Sequence, residues 1–187
     1  MGILTWLRAG WAKVAGADRG LFGDLEARIE THGWTAIYVG DYQTVPTWTY
    51  TLGFRETLGQ PEVIVFDIPQ DAANGLLWEV FQQLKDGRLV LEDGKVWPEG
   101  EERPCVWRKV DPTQIESELG WFTLATMRSI VRTGMPYDFE AYQLVLSDND
   151  GRMPWDEGYD ERLRSLQPAL YLRLADEASP LADDVAV

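Results

Sequence analysis

The stretch Glu62–Ile68, EVIVFDI, is a nearly continuous apolar run of strand length, rich in β-branched residues. Such a run suits a central strand covered on both faces. Directly after it, Pro69 opens a helix to about Lys85, with Ala72, Leu76, Leu77, Val80, Phe81 and Leu84 as its buried stripe and Gly87 ending it. Upstream, WTAIYV at Trp34–Val39 and TWTYTLGF at Thr47–Phe54 have the β-branched and aromatic content of strands. The turn GDYQTVP between them predicts an antiparallel pair. Before the pair, Leu21, Phe22, Leu25 and Ile29 recur at helical spacing, and Gly33 stops that helix.

Arg88–Leu91, an EDG turn and Lys95–Trp97 read as a hairpin, PEGEERP as an exposed acidic loop, and Cys105–Val110 as a strand. Pro112–Val131 reads as one helix interrupted at Gly120, and Phe139–Leu146 as a strand ending in the turn SDNDG. No repeat and no Gly/Ser-rich linker divides the chain. The expectation is therefore a single α+β domain over residues 19–175, a mostly antiparallel or mixed sheet with helices packed on it. An extra amphipathic N-terminal helix over residues 1–18 precedes it, and a loose acidic tail, 176–187, follows.

The whole chain has 187 residues, 45% hydrophobic and 26% charged, which is ample for a core without disulfides or a structural metal. One Cys and one His exclude a cysteine zinc site and every two-histidine metal motif, and neither a metal nor a cofactor is expected. A net charge of -14 argues against binding to nucleic acid and favours a basic protein partner. The first segment carries Ile3, Leu4, Leu7, Trp11 and Val14 at helical spacing, but Arg8 and Lys13 interrupt any signal-peptide core. No run approaches the roughly 20 apolar residues of a membrane span, so the expected location is cytoplasmic, with no integral membrane segment. The same amphipathic segment suits packing on its own domain, a second copy of the chain, or an acidic surface.

Several separated motifs then occur in order: HGWTAIYV at His32–Val39, WTYTLGF at Trp48–Phe54, LGQPEVIVFDIP at Leu58–Pro69, AYQLVLSDNDGRMPWDEGYD at Ala141–Asp160 and LQP at Leu166–Pro168. Together they resemble the bacterial domain family DUF4262 over roughly residues 20 to 170. The resemblance implies a fold and carries no established activity.

Two sets of residues are candidates for function. His32 is the one imidazole and the first group to consider as a general base, although a His at a helix C-terminus also caps its carbonyls. Tyr50 lies in the YTLG segment, where a glycine allows close approach of a ligand or simply forms a bulge, and Glu62 opens the central strand, facing a cleft or solvent. These three form the catalytic set if the protein is an enzyme. The binding set is Asp148, Trp155, Asp156 and Tyr159, which concentrate carboxylates and aromatic rings in one long connection. Asp148-Asn149-Asp150-Gly151 lacks the terminal Glu of a calcium loop, since the twelfth place is Tyr159, so SDNDG reads as turn chemistry. Trp155 with Asp156 would suit a cationic group. Cys105 reads as a buried apolar thiol.

Two functions follow from the folded domain, and a third, a helix-mediated oligomer or membrane-peripheral scaffold, rests on Ile3 to Val14. The first is a non-catalytic binding protein, an inhibitor or immunity-type protein for a basic partner. The second is an enzyme acting on a small organic or peptide substrate with His32 and a carboxylate as acid and base.

Overall fold

A computed structural model describes residues 19–40, 46–98, 100 and 103–174. The N-terminal helix expected over 1–18, the acidic tail, and most of the turn after Val39 lie outside the described residues. The chain divides into two compact units, residues 1–90 and 91–187. Both combine helices with antiparallel strand pairs, so the α+β class read from the sequence is the one found.

In the first unit, α1 (Arg19–His32) buries Leu25 and Ile29, one helical turn apart, against β1 (Thr35–Val39). It ends where the Gly33 amide donates to the Ile29 carbonyl at 2.7 Å with φ +85°, a conformation that favours glycine. Glycine is needed here for space as well, because a Cβ would stand 2.8 Å from the Thr57 methyl. Strand β1 pairs with β2 (Trp48–Leu52), Ile37 opposite Tyr50, and β2 pairs with β3 (Glu62–Phe66), Tyr50 opposite Ile64. All five residues of β3 are buried, as the uninterrupted apolar run predicts.

Between β2 and β3 the chain makes one short helix, α2 (Phe54–Leu58). After β3, the 16-residue α3 (Gln70–Lys85) packs on β1 and β2. Its buried residues are Ala73, Leu77, Val80, Phe81 and Leu84. The stripe thus begins at Ala73 and not at Ala72, which is exposed, and Leu76 stands at its half-buried margin. Spacings of four, three, one and three from Ala73 trace one face, and Ala72 lies about 100° off its leading edge.

In the second unit, β5 (Cys105–Lys109) runs between β4 (Val96–Trp97) and β6 (Ala141–Leu146), antiparallel to each. The hairpin expected from Arg88–Leu91 with Lys95–Trp97 does not form. Leu91 is buried outside any strand, and Val96 and Trp97 pair forward with Val106 and Cys105. The EDG turn belongs to this forward pairing, since the Gly94 amide donates to Trp107 at 2.7 Å and the Trp107 amide to Lys95 at 2.9 Å.

The interrupted helix is two helices. Asp111 caps the four-residue α4 (Pro112–Ile115) by accepting from the Thr113 amide at 2.9 Å. Gly120, at φ +71°, then turns the chain into α5 (Thr123–Thr133). Strand β6 starts at Ala141, because Phe139 sits edge-on against Phe122 before the strand begins. A last short helix, α6 (Glu161–Arg164), is capped by the Asp160 carboxylate on the Arg162 amide.

Two glutamines hold the chain after α6 to β6. Gln143, with no exposed surface, receives the Leu170 amide and donates to the Pro168 carbonyl, both at 2.9 Å. Gln167 closes a matching pair on the backbone of Leu146, at 2.7 and 3.0 Å. A fully buried amide that satisfies both its oxygen and its nitrogen costs little and fixes register.

Candidate functional site

In the first unit the three candidate catalytic residues have different surroundings. Tyr50 is 1% exposed on the central β2. Glu62, 3% exposed, directs its carboxylate at the loop that starts α2. It accepts the Thr51 hydroxyl at 2.6 Å and the Gly53 amide at 3.0 Å, with the Phe54 and Arg55 amides farther off at 3.4 Å. The Thr51 hydroxyl in turn accepts the Val63 amide at 2.8 Å, so the chain on both sides of the turn is tied to one carboxylate.

This arrangement follows from sequence order. A strand that ends at Leu52 and a strand that begins at Glu62 leave the first amides of α2 without helical partners, and the oxygens of the nearest carboxyl group accept them. Burial pushes the Glu62 carboxyl up to about 7; Thr51 and the Gly53 amide pull the other way, and the Glu56 carboxylate adds to the rise. Gly53, at φ +113°, permits the close turn: a Cβ there would stand 3.0 Å from the Gly33 carbonyl oxygen and 3.1 Å from an Ile29 methyl.

His32 is exposed, in the last turn of α1. It lines an open recess of about 650 Å³ with Thr57, Trp78, Phe81, Gln82 and Lys85. Neither Glu62 nor Tyr50 is part of that lining. Behind it, Trp34 packs among Phe54, Trp78 and Phe81, with ring centroids 5.4 to 6.3 Å apart. The buried Trp34 indole N–H has no hydrogen-bond partner among the described residues.

In the second unit the four candidate binding residues lie along one connection, with unequal roles. Asp148 is 4% exposed and organises the loop: it accepts the Asp150 amide at 2.9 Å, the Arg152 amide at 2.8 Å and the Asp160 amide at 3.2 Å. This is the Asx-turn chemistry read from SDNDG, extended to a partner twelve residues away. Burial pushes the Asp148 carboxyl up, but those three amides and the Arg152 guanidinium, 3.9 Å away, outweigh it and hold it below the ordinary range.

Tyr159 is buried, with Arg164 over its ring and its hydroxyl near the Gln167 amide. Asp156 is exposed and accepts the Met153 amide at 2.8 Å. Trp155 is 46% exposed and meets Tyr171 edge-on. A cation of the chain itself lies against these rings. The Arg108 guanidinium lies 4.3 Å from the Tyr171 ring centroid and 5.2 Å from that of Trp155, and donates to Asp93 at 3.0 Å.

Sequence reasoning did not single out Arg108, Tyr171, Trp78 or Lys85. Trp78 alone left a signal, a large aromatic residue on the polar side of the α3 stripe. Cys105 is half-buried, and burial pushes its thiol up to about 11, so it stays protonated at neutral pH and is a poor nucleophile. No helix among the described residues is long and apolar enough to cross a membrane. No curated protein and no solved structure matches the chain. A sequence model of DUF4262, a domain of unknown function, matches residues 28–160, which takes in Glu62, the recess residues and the whole Asp148–Asp160 connection. By that match the chain belongs to the DUF4262 family.

Proposed function

We propose that the protein is a non-catalytic binding protein, an inhibitor or immunity-type protein for a basic protein partner. The observation that carries this reading is the Asp148 connection, where a buried carboxylate fixes a loop that presents a half-exposed Trp155 beside the exposed Asp156 and Glu157. A loop already ordered in the free protein loses little entropy on binding, and an aromatic ring amid carboxylates is complementary to Arg and Lys side chains. Arg108, held over Trp155 and Tyr171, illustrates within the chain the chemistry that this surface accepts. The excess of acidic residues adds long-range attraction for a basic partner.

The second reading, an enzyme for a small organic or peptide substrate with His32 and a carboxylate as acid and base, draws on the Glu62 pKa of about 7. Against it, Glu62 is committed to backbone amides and His32 lines a recess that excludes it. The test is a pull-down from source cells with tagged protein at low and moderate salt, with the retained protein then purified and titrated by calorimetry. The variant Trp155→Ala/Asp156→Asn keeps an acceptor for the Met153 amide while removing the ring and the charge. A basic protein that binds the wild type, weakens as salt rises and fails to bind the double variant supports the proposal. Undiminished binding by that variant overturns it.

A further inference from the structure

The recess at the ends of α1 and α3 has a composition unlike the rest of this acidic chain. Its lining holds no carboxylate, whereas it includes His32 and Lys85 beside Trp78 and Phe81. Its volume of about 650 Å³ is of the size that takes small organic molecules.

The ordinary task of a lysine in the last turn of a helix is to offset the carbonyl end of the dipole. Here the backbone itself serves many of those carbonyls. The Asp86 amide donates to Gln82 at 2.9 Å, the Gly87 amide to Leu84 at 3.1 Å, and the Arg88 and Leu89 amides to Gln83 at 2.9 and 3.1 Å. At the end of α1 the Gly33 amide serves the Ile29 carbonyl, and the Gly33 carbonyl accepts the Thr57 hydroxyl at 2.5 Å. The two acids nearest the end of α3 have partners of their own: Asp86 pairs with Arg88 at 3.1 Å and Glu79 accepts from Gln83 at 2.8 Å. Lys85 makes no ion pair among the described residues. Trp78, 48% exposed, is held by near-parallel contacts with Trp34 and Phe81 at 29° and 30°, so a rigid ring borders the open volume.

We propose that this recess binds a small organic anion with a flat apolar body, an aryl or heteroaryl carboxylate, its ring against Trp78 and Phe81 and its carboxylate at Lys85. The inference is independent of the protein-binding reading and uses residues of the first unit alone. Aromatic contact gives area with little entropy loss, and the ammonium selects the sign of the charge.

The experiment is a titration of the full chain, 15N-labelled, followed through the tryptophan indole N–H signals by NMR. The probes are 2-naphthoate, naphthylmethylamine with the same body and opposite charge, and acetate with the charge and no body. The Trp78→Phe variant identifies the Trp78 signal. The expected result is a saturable shift of that signal with naphthoate alone, weakened about fivefold by the solvent-facing substitution Lys85→Gln. The other indole signals report that this variant keeps its fold. The proposal is overturned if naphthoate gives no saturable shift of Trp78, if the amine binds as tightly as the acid, or if Lys85→Gln binds naphthoate like the wild type.

Discussion

Glu62 in the first unit and Asp148 in the second are both nearly excluded from solvent, at 3% and 4% exposure, and both accept backbone amides. Their acidities nevertheless move in opposite directions. Asp148 has three amides at 2.8 to 3.2 Å and a guanidinium nearby. Glu62 has one amide at 3.0 Å, two at 3.4 Å, a close hydroxyl and the like charge of Glu56. Burial alone does not set the charge state of a carboxylate. Depth and donors decide it together: enclosure is the largest influence on Glu62, whereas at Asp148, on a loop, three close amides and the Arg152 guanidinium outweigh it. The two groups therefore do different things, one holding a turn at the edge of ionisation and the other holding a loop as a permanent anion.

The largest expected effect comes from the turn around Glu62. Gly53→Ala forces a side chain into φ +113° against the Gly33 carbonyl and Ile29, and should lower stability by about 4 kcal/mol, read by urea unfolding. A loss below about 1 kcal/mol would mean that the turn relaxes and that the Glu62 cradle is soft.

The next effect is in pH. The folded chain keeps the Glu62 proton up to about 7, whereas an unfolded Glu releases it near 4.5. Stability from this group is therefore complete below pH 4.5 and is lost as pH rises to about 7, a change of about 3 kcal/mol. Asp148 contributes in the opposite sense, with stability present above its ordinary 3.8 and lost as pH falls through its lower folded value. Thermal melts of wild type and Glu62→Gln from pH 4.5 to 8 separate the two. The variant should lack the decline between 4.5 and 7, and parallel curves would contradict the assignment.

A smaller and more local effect is expected at Asp148. Asp148→Ala should release the amides of Asp150, Arg152 and Asp160, whose hydrogen exchange should quicken by about tenfold or more while β3 amides stay unchanged. Exchange that quickens evenly over the chain would show global destabilisation instead of loop opening.

The sequence disclosed these two regions unequally. EVIVFDI announced a buried strand because both faces of β3 are covered and no polar residue breaks the run from Val63 to Phe66. SDNDG announced its turn because Asx side chains bond their own neighbours two and four residues on. The burial of Glu62 was not legible in the same way. A carboxylate that opens a strand reads as a solvated end, and it is enclosed here only because the start of α2, eight or nine residues earlier, folds over it. Non-local contact also explains Arg108, an unremarked cation on β5 that reaches Trp155 and Tyr171 across a separation no local pattern records. The forward pairing of Val96 and Trp97 escaped for a related reason, since two-residue strands carry too few positions to display a period.

One binding measurement sets the two regions against each other. Affinity for the captured basic protein is measured by calorimetry for wild type, Trp155→Ala/Asp156→Asn and His32→Gln, all shown to be folded by circular dichroism. The loop variant should lose binding by at least about tenfold while His32→Gln binds like the wild type. Loss of binding in His32→Gln with the loop variant unaffected would contradict that expectation and move the functional site to the first unit.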